Sequence, residues 1–273
     1  MARLGLFGKL PAVGDFVSRG FTNELRDALD GLLQAALMSS YAEGADRESL
    51  ERSAPPVVIN VRPGAFAKNG FMGCIVPSHD RVGRFFPLCV GLETDPVAAG
   101  LLSVSPLAWM SLPLSARLCQ LALEAQAQVL GPDELLASLP DAPTWRSMAS
   151  AHLPFSSALE ITVPLISVST SQFVFEGPES RMAVPDLAMC TRLPLLVEAL
   201  GAVITSSSQF DRYFASRSML TWSSFAALFD ARWGYWGWSV QALAASADDQ
   251  DAITLPPRLD DDDSTRTFIS SKD

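Results

Sequence analysis

Histidine is nearly missing from this sequence: His79 and His152 are the only two in 273 residues. A metal site built on imidazole is thereby almost excluded, and no group of carboxylates has the spacing of a calcium loop. Cysteine is scarce as well. Cys74, Cys89, Cys119 and Cys190 lie 15, 30 and 71 residues apart in apolar runs, without a Cys-x-x-Cys pair. That spacing fits neither a zinc site nor a small disulfide-stapled scaffold, so reduced, buried thiols in a cytoplasmic protein are expected. Basic charge is in deficit, with 20 Lys+Arg against 30 Asp+Glu and a net charge of −10. Such a chain has no electrostatic footprint for nucleic acid or anionic lipid.

An unbroken apolar span is missing too. Residues 96–116 carry no charge, but Pro96, Pro106, Pro113, Gly100 and four Ser interrupt them, which argues against a spanning helix. Lys9, Pro11 and Gly14 break the start before the apolar core of a signal peptide develops. A soluble, cytoplasmic chain without direct membrane insertion is the expectation.

What is present is apolar mass. The sequence is 48% hydrophobic, enough for a sizeable core. Arg3 to Phe7 alternates like a strand and runs into a Gly/Pro-punctuated loop, Gly8 to Gly20. Thr22 can cap a helix carrying Leu25, Leu29, Leu32, Leu33, Ala36 and Leu37 at helical period. Pro56 to Arg62, Phe71 to Val76 and Phe85 to Leu92 read as an antiparallel meander of strands. Helices are expected over Leu114 to Leu130 and Asp133 to Leu139, split by Gly131-Pro132. Further on, Ile161 to Val168 and Gln172 to Phe175 read as strands, and Leu195 to Ile204 is ambiguous by period. Met219 to Trp222 reads as a last strand, Ser224 to Trp233 as a helix, and Trp233, Trp236 and Trp238 as an aromatic cluster. Strands followed by helices favour an α+β fold, with helices packed on a mainly antiparallel sheet. The domain is expected over 1–240, ahead of an acidic tail over 246–273. Eight Asp against Arg258, Arg266 and Lys272 give residues 248–273 a net charge of −5 and little to bury, so disorder is expected there.

No catalytic constellation stands out. Gly8-Lys9 lacks the flanking residues of a P-loop, since Arg3 and Leu10 occupy its first glycine and its Ser/Thr position. Ser78-His79-Asp80 has the residue types of a triad, but neighbours on one turn cannot converge on a reacting atom. Cys74 or Cys89 with His79 or His152 is a weak thiol–imidazole alternative to a strand-core role for the cysteines. No metal, cofactor or small-molecule ligand is expected.

Two segments are distinctive: Gly8-Lys9-Leu10-Pro11-Ala12-Val13-Gly14-Asp15-Phe16-Val17-Ser18-Arg19, and Pro77-Ser78-His79-Asp80-Arg81-Val82-Gly83-Arg84-Phe85-Phe86-Pro87-Leu88. Each sets turn glycines, Asp and Arg beside a hydrophobic strand. Asp15 with Arg19, and Asp80 with Arg81 or Arg84, are expected to tie turns to the sheet ends. The functional alternative is that the loops meet and form a recognition surface. Its candidate residues are Gly8, Lys9, Leu10, Pro11, Gly14, Asp15, Phe16, Ser18, Arg19, Pro77, Ser78, Asp80, Arg81, Gly83, Arg84 and Pro87. A small-ligand or acid/base site built from Lys9, Asp15, Asp80, Arg81 and Arg84 is the enzymatic alternative.

These two segments resemble the signatures of the TagF (ImpM) family, most strongly over 1–92 and more loosely to about residue 235. His79 departs from the family's usual apolar residue, and Leu29-Asp30 from a frequent Trp-Asp. The resemblance implies a three-layer α/β/α arrangement, somewhat like longin or profilin domains. It also implies a non-enzymatic, post-translational repressor of a bacterial type VI secretion system, whose partner is the system's forkhead-associated scaffold protein. Because forkhead-associated domains recognise phosphothreonine, Thr265 and Thr267 in the tail are a second candidate contact.

Overall fold

A computed structural model of the chain describes residues 2–94, 112–140, 172–176, 199–206, 209–216 and 222–242. All belong to one compact unit, residues 1–243. The expected tail, the expected strand over Ile161 to Val168 and Cys190 lie outside the described residues.

Among the described residues, nine strands form one sheet: β1 Ala2–Gly8, β2 Val17–Arg19, β3 Val57–Val61, β4 Gly70–Val76, β5 Leu88–Thr94, β6 Gln172–Glu176, β7 Ala199–Ser206, β8 Gln209–Ser216 and β9 Ser239–Ala242. Their order is β2-β1-β5-β4-β3-β7-β8-β6-β9. Every pairing is antiparallel except β6 with β9. The expected meander is present, with β4 between β3 and β5.

Five α-helices among the described residues accompany the sheet: α1 Asn23–Ala42, α2 Arg47–Ser53, α3 Leu112–Ala127, α4 Pro132–Ser138 and α5 Ala227–Asp230. Helix α1 starts as its sequence dictates. The Thr22 Oγ1 accepts the Leu25 N–H at 3.3 Å, satisfying one donor that the first turn leaves open. Asp46 caps α2 in the same way, accepting from the Ser49 N–H at 2.7 Å. At α4 the Gly131 N–H is taken by Glu134 Oε2 at 2.7 Å, and Pro132 opens the helix with a preset φ.

Alternation along the strands sends side chains to two faces. Phe7, Ile59, Phe71, Ile75 and Cys89 join the core cluster that takes the apolar stripe of α1. The other face receives α3, which packs on β3, β4 and β5. Here Cys119 meets Cys74, itself in register with Val58 and Val90. The fold is α+β, with helices on both faces of a mainly antiparallel sheet.

A lane of glycines crosses the α1 face. Gly5 pairs with Gly91 and Gly91 with Gly73, and Ile59 links Gly73 to Gly201. The missing side chains are replaced by rings. A Cβ would lie 2.4 Å from Phe21 at Gly5, within 2.8 Å of Phe71 at both Gly73 and Gly91, and 2.3 Å from Phe214 at Gly201. These rings, together with neighbouring-strand carbonyls such as Val90 O at 2.2 Å from a Cβ on Gly73, fix these positions as glycine.

The C-terminal part corrects the sequence reading. Trp222, expected at the end of a strand, opens a 3₁₀ turn, Trp222–Ala226. The expected helix from Ser224 to Trp233 shrinks to α5, ending at Ala231 in the left-handed region. The Asp230 carboxylate accounts for the stop: it accepts the Arg232 N–H at 2.9 Å and the Trp236 indole N–H at 2.8 Å, drawing the chain out of the helix. Of the expected tryptophan cluster, Trp233 and Trp238 are core residues, their rings 5.1 Å apart, while Trp236 is half-buried in that turn.

Candidate functional site at the paired motif loops

Register brings the two distinctive segments together. β1 lies between β2 and β5, so the loop leaving β1 at Gly8 and the loop entering β5 at Leu88 emerge at one edge of adjacent strands. Gly8 fixes how closely they approach. Its φ of 136° is barred to most residues, and a Cβ there would sit 2.1 Å from the Pro87 carbonyl oxygen. Three further bonds sew the loops: Ser78 Oγ to the Lys9 carbonyl at 2.7 Å, the Arg81 N–H to the Val13 carbonyl at 2.8 Å, and Arg84 Nη2 to the Gly14 carbonyl at 2.7 Å.

Asp80 is the hub. Its side chain is fully buried, with Oδ2 3.1 Å from Lys9 Nζ and 2.7 Å from Arg84 Nε. Oδ1 accepts the N–H groups of Val82 at 3.1 Å and Arg84 at 2.9 Å. Burial by itself would raise this carboxyl's pKa. The hydrogen bonds from Arg84 and Lys9, with the Lys9 charge, outweigh it and hold Asp80 well below the usual carboxylate range. A buried charge is tolerable only when paired and bonded in this way. Lys9 is itself buried, and its ammonium lies 5.1 Å from the centre of the Phe16 ring. Phe16 in turn meets Phe86 edge-on at 4.8 Å.

The expected ties are partly redrawn. Asp80 pairs with Arg84 and, unanticipated, with Lys9 across 71 residues. Arg81 lies instead over Gly14, 3.5 Å from where a Cβ would be. Asp15 and Arg19 do not pair. The Asp15 Oδ1 accepts the adjacent Phe16 N–H at 2.8 Å, and Arg19 reaches Asp133 of α4 at 2.8 Å. Leu10 is buried core, Ser18 pairs with Phe7 in the sheet, and Pro11 and Pro77 are half-buried. Gly83 turns the loop tip at φ 81°.

Two neighbours were not among the candidates. Arg47 Nη2 donates to the Gly83 carbonyl at 2.7 Å, bracing the tip against α2. Val82 stands 67% exposed at that tip. Val82 was legible, as an apolar residue between Arg81 and Gly83 in a turn; Arg47 carries no local signal.

Among the described residues no cluster of His, Cys, Asp and Glu could hold a metal ion. No helix among them is long and apolar enough to cross a membrane.

The fold and the loops define an α+β protein whose two motif turns close around one buried carboxylate. The sequence model of the TagF N-terminal domain, type VI secretion system-associated, matches residues 5–146, about half the chain and both loops. The chain belongs to this family of type VI secretion-associated proteins. Among solved structures, the crystal structure of PA0076 from Pseudomonas aeruginosa PAO1 is similar. Its sequence is 20% identical, the match covers 83% of this chain and 93% of that one, and the TM-score is 0.48. No curated protein matches.

Proposed function

We propose that this protein is a non-enzymatic, post-translational regulator of a type VI secretion system, a repressor that acts by binding the system's forkhead-associated scaffold protein. The observation that carries the reading is the state of Asp80. An acid or base at work on a substrate needs a free position on its carboxylate and access to a cleft. Asp80 instead accepts from Lys9, Arg84 and two backbone N–H groups, with its side chain fully buried. Of the charges that invited an enzymatic alternative, Lys9, Asp80 and Arg84 are spent on joining the loops. What that joint supports is a fixed rim of exposed side chains, which suits recognition of another protein.

The sign of regulation is tested in cells. Deleting the gene should raise the amount of a substrate of the same secretion system in the culture supernatant, and overproducing the protein should lower it. Unchanged secretion in both strains would refute the repressor role.

A further inference from the structure

The two loops carry Phe16, Arg81 and Val82 among their exposed side chains, on a braced base. Phe16 is 46% and Val82 67% exposed, and Arg81, next to Val82 in the chain, is exposed too, with its guanidinium over Gly14 of the loop that carries Phe16. None of the three is loosely held at its backbone. The Phe16 N–H bonds the Asp15 carboxylate, the Arg81 N–H bonds the Val13 carbonyl, and the Val82 N–H bonds Asp80. Beneath the Phe16 ring lie Phe7, Phe86 and the Lys9 ammonium.

Charge at this surface is biased. The Arg81 guanidinium has no hydrogen bond or ion pair among the described residues. The carboxylate nearest in sequence, Asp80, is buried and bound by Lys9 and Arg84, while Asp15 caps a backbone N–H. An unengaged guanidinium thus stands beside exposed apolar surface on a chain of net charge −10. Arginine grips a carboxylate through two parallel bonds, and Arg with an aromatic neighbour is a common centre of binding energy. The fixed backbone lowers the ordering cost of binding.

We infer that Phe16, Arg81 and Val82 form a contact patch for a protein segment that carries a carboxylate beside an apolar side chain. The patch deepens the binding function proposed above and rests on it for the identity of the partner, but its chemistry is tested separately.

In the first arm, a displayed library of random linear peptides is selected on the immobilised full-length protein, and the enriched peptides are synthesised for affinity measurement. Enrichment of Asp or Glu next to an aliphatic or aromatic residue is expected. Arg81→Glu and Val82→Asp should each weaken binding about tenfold or more, and added salt should weaken binding to the wild type. Both substitutions are at exposed positions, and an unchanged melting temperature verifies folding. Met38→Ser, at an exposed position on α1, should leave affinity unchanged. Failure to enrich peptides, enrichment of peptides without acidic residues, or equal binding to both loop variants would overturn the inference. In the second arm the purified forkhead-associated scaffold replaces the peptides. If it binds the wild type and both loop variants equally, the patch is wrong and the regulator reading stands. If peptides bind as expected but the scaffold does not, the patch stands and its assigned partner falls.

Discussion

Lys9 Nζ lies 3.1 Å from Asp80 Oδ2, and both side chains are buried although each belongs to a different motif loop. Removing the negative charge while keeping the shape leaves the Lys9 ammonium buried without its partner, which is more damaging than losing the pair. Asp80→Asn should lower the melting temperature by about 5–10 °C, measured by circular dichroism at neutral pH.

The same carboxylate makes stability depend on acid. Its folded pKa is depressed, so its contribution is full above the unfolded value of about 4 and is lost as pH falls below that. The melting-temperature gap between wild type and Asp80→Asn should be constant from pH 7 to pH 5 and shrink progressively below pH 4. A gap that stays constant to pH 2.5 would mean that Asp80 is not ionised and paired in the folded protein.

Two motif glycines should behave differently. A Cβ at Gly8 combines a forbidden φ with a backbone clash against Pro87, and Gly8→Ala should cost about 3 kcal/mol. At Gly14 the nearest atom to a Cβ is Arg81 Nη2 at 3.5 Å, an ordinary contact, and Gly14→Ala should stay within about 0.5 kcal/mol of wild type. Urea titration of both variants compares them directly.

Cys74, Cys89 and Cys119 are free and buried, and burial pushes the Cys89 and Cys119 thiols up, away from the reactive thiolate. In a Cys190→Ser background the native protein should resist a thiol-labelling reagent. Labelling should then track global unfolding in urea, since these side chains become accessible only when the sheet opens. Rapid labelling without urea would contradict the packing of α3 on β4.

Much of the fold is legible where local chemistry and final environment agree. Thr22 and the leucine period announce α1, alternation announces β1, and apolar, β-branched runs between turn signals announce β3 and β4. The run Phe85 to Leu92 has the pattern of a strand, but β5 spans Leu88–Thr94. Phe85 and Phe86 bury their rings in the turn, and the polar end of β5 is admissible only because distant groups satisfy Glu93. That buried carboxylate accepts the Thr22 N–H and hydroxyl and the Asn69 amide, at 2.6–2.8 Å. β2 is three residues long inside a Gly/Pro-rich loop, and no period can mark so short a strand. At the site, the turns, their charges and the local Asp80–Arg84 tie were visible, but the partners distant in sequence were not. Arg19 with Asp133 spans 114 residues and is decided by the packing of α4 on β1 and β2, while Lys9 with Asp80 spans 71 and is decided by the strands that bring the two loops together.

The central claim is that this protein works by holding the forkhead-associated scaffold of its secretion system. Isothermal titration of the purified full-length chain into the purified scaffold tests it most directly. The account predicts saturable binding with a Kd of about 10 μM or tighter. Absence of binding at about 100 μM, with both proteins folded, would contradict it.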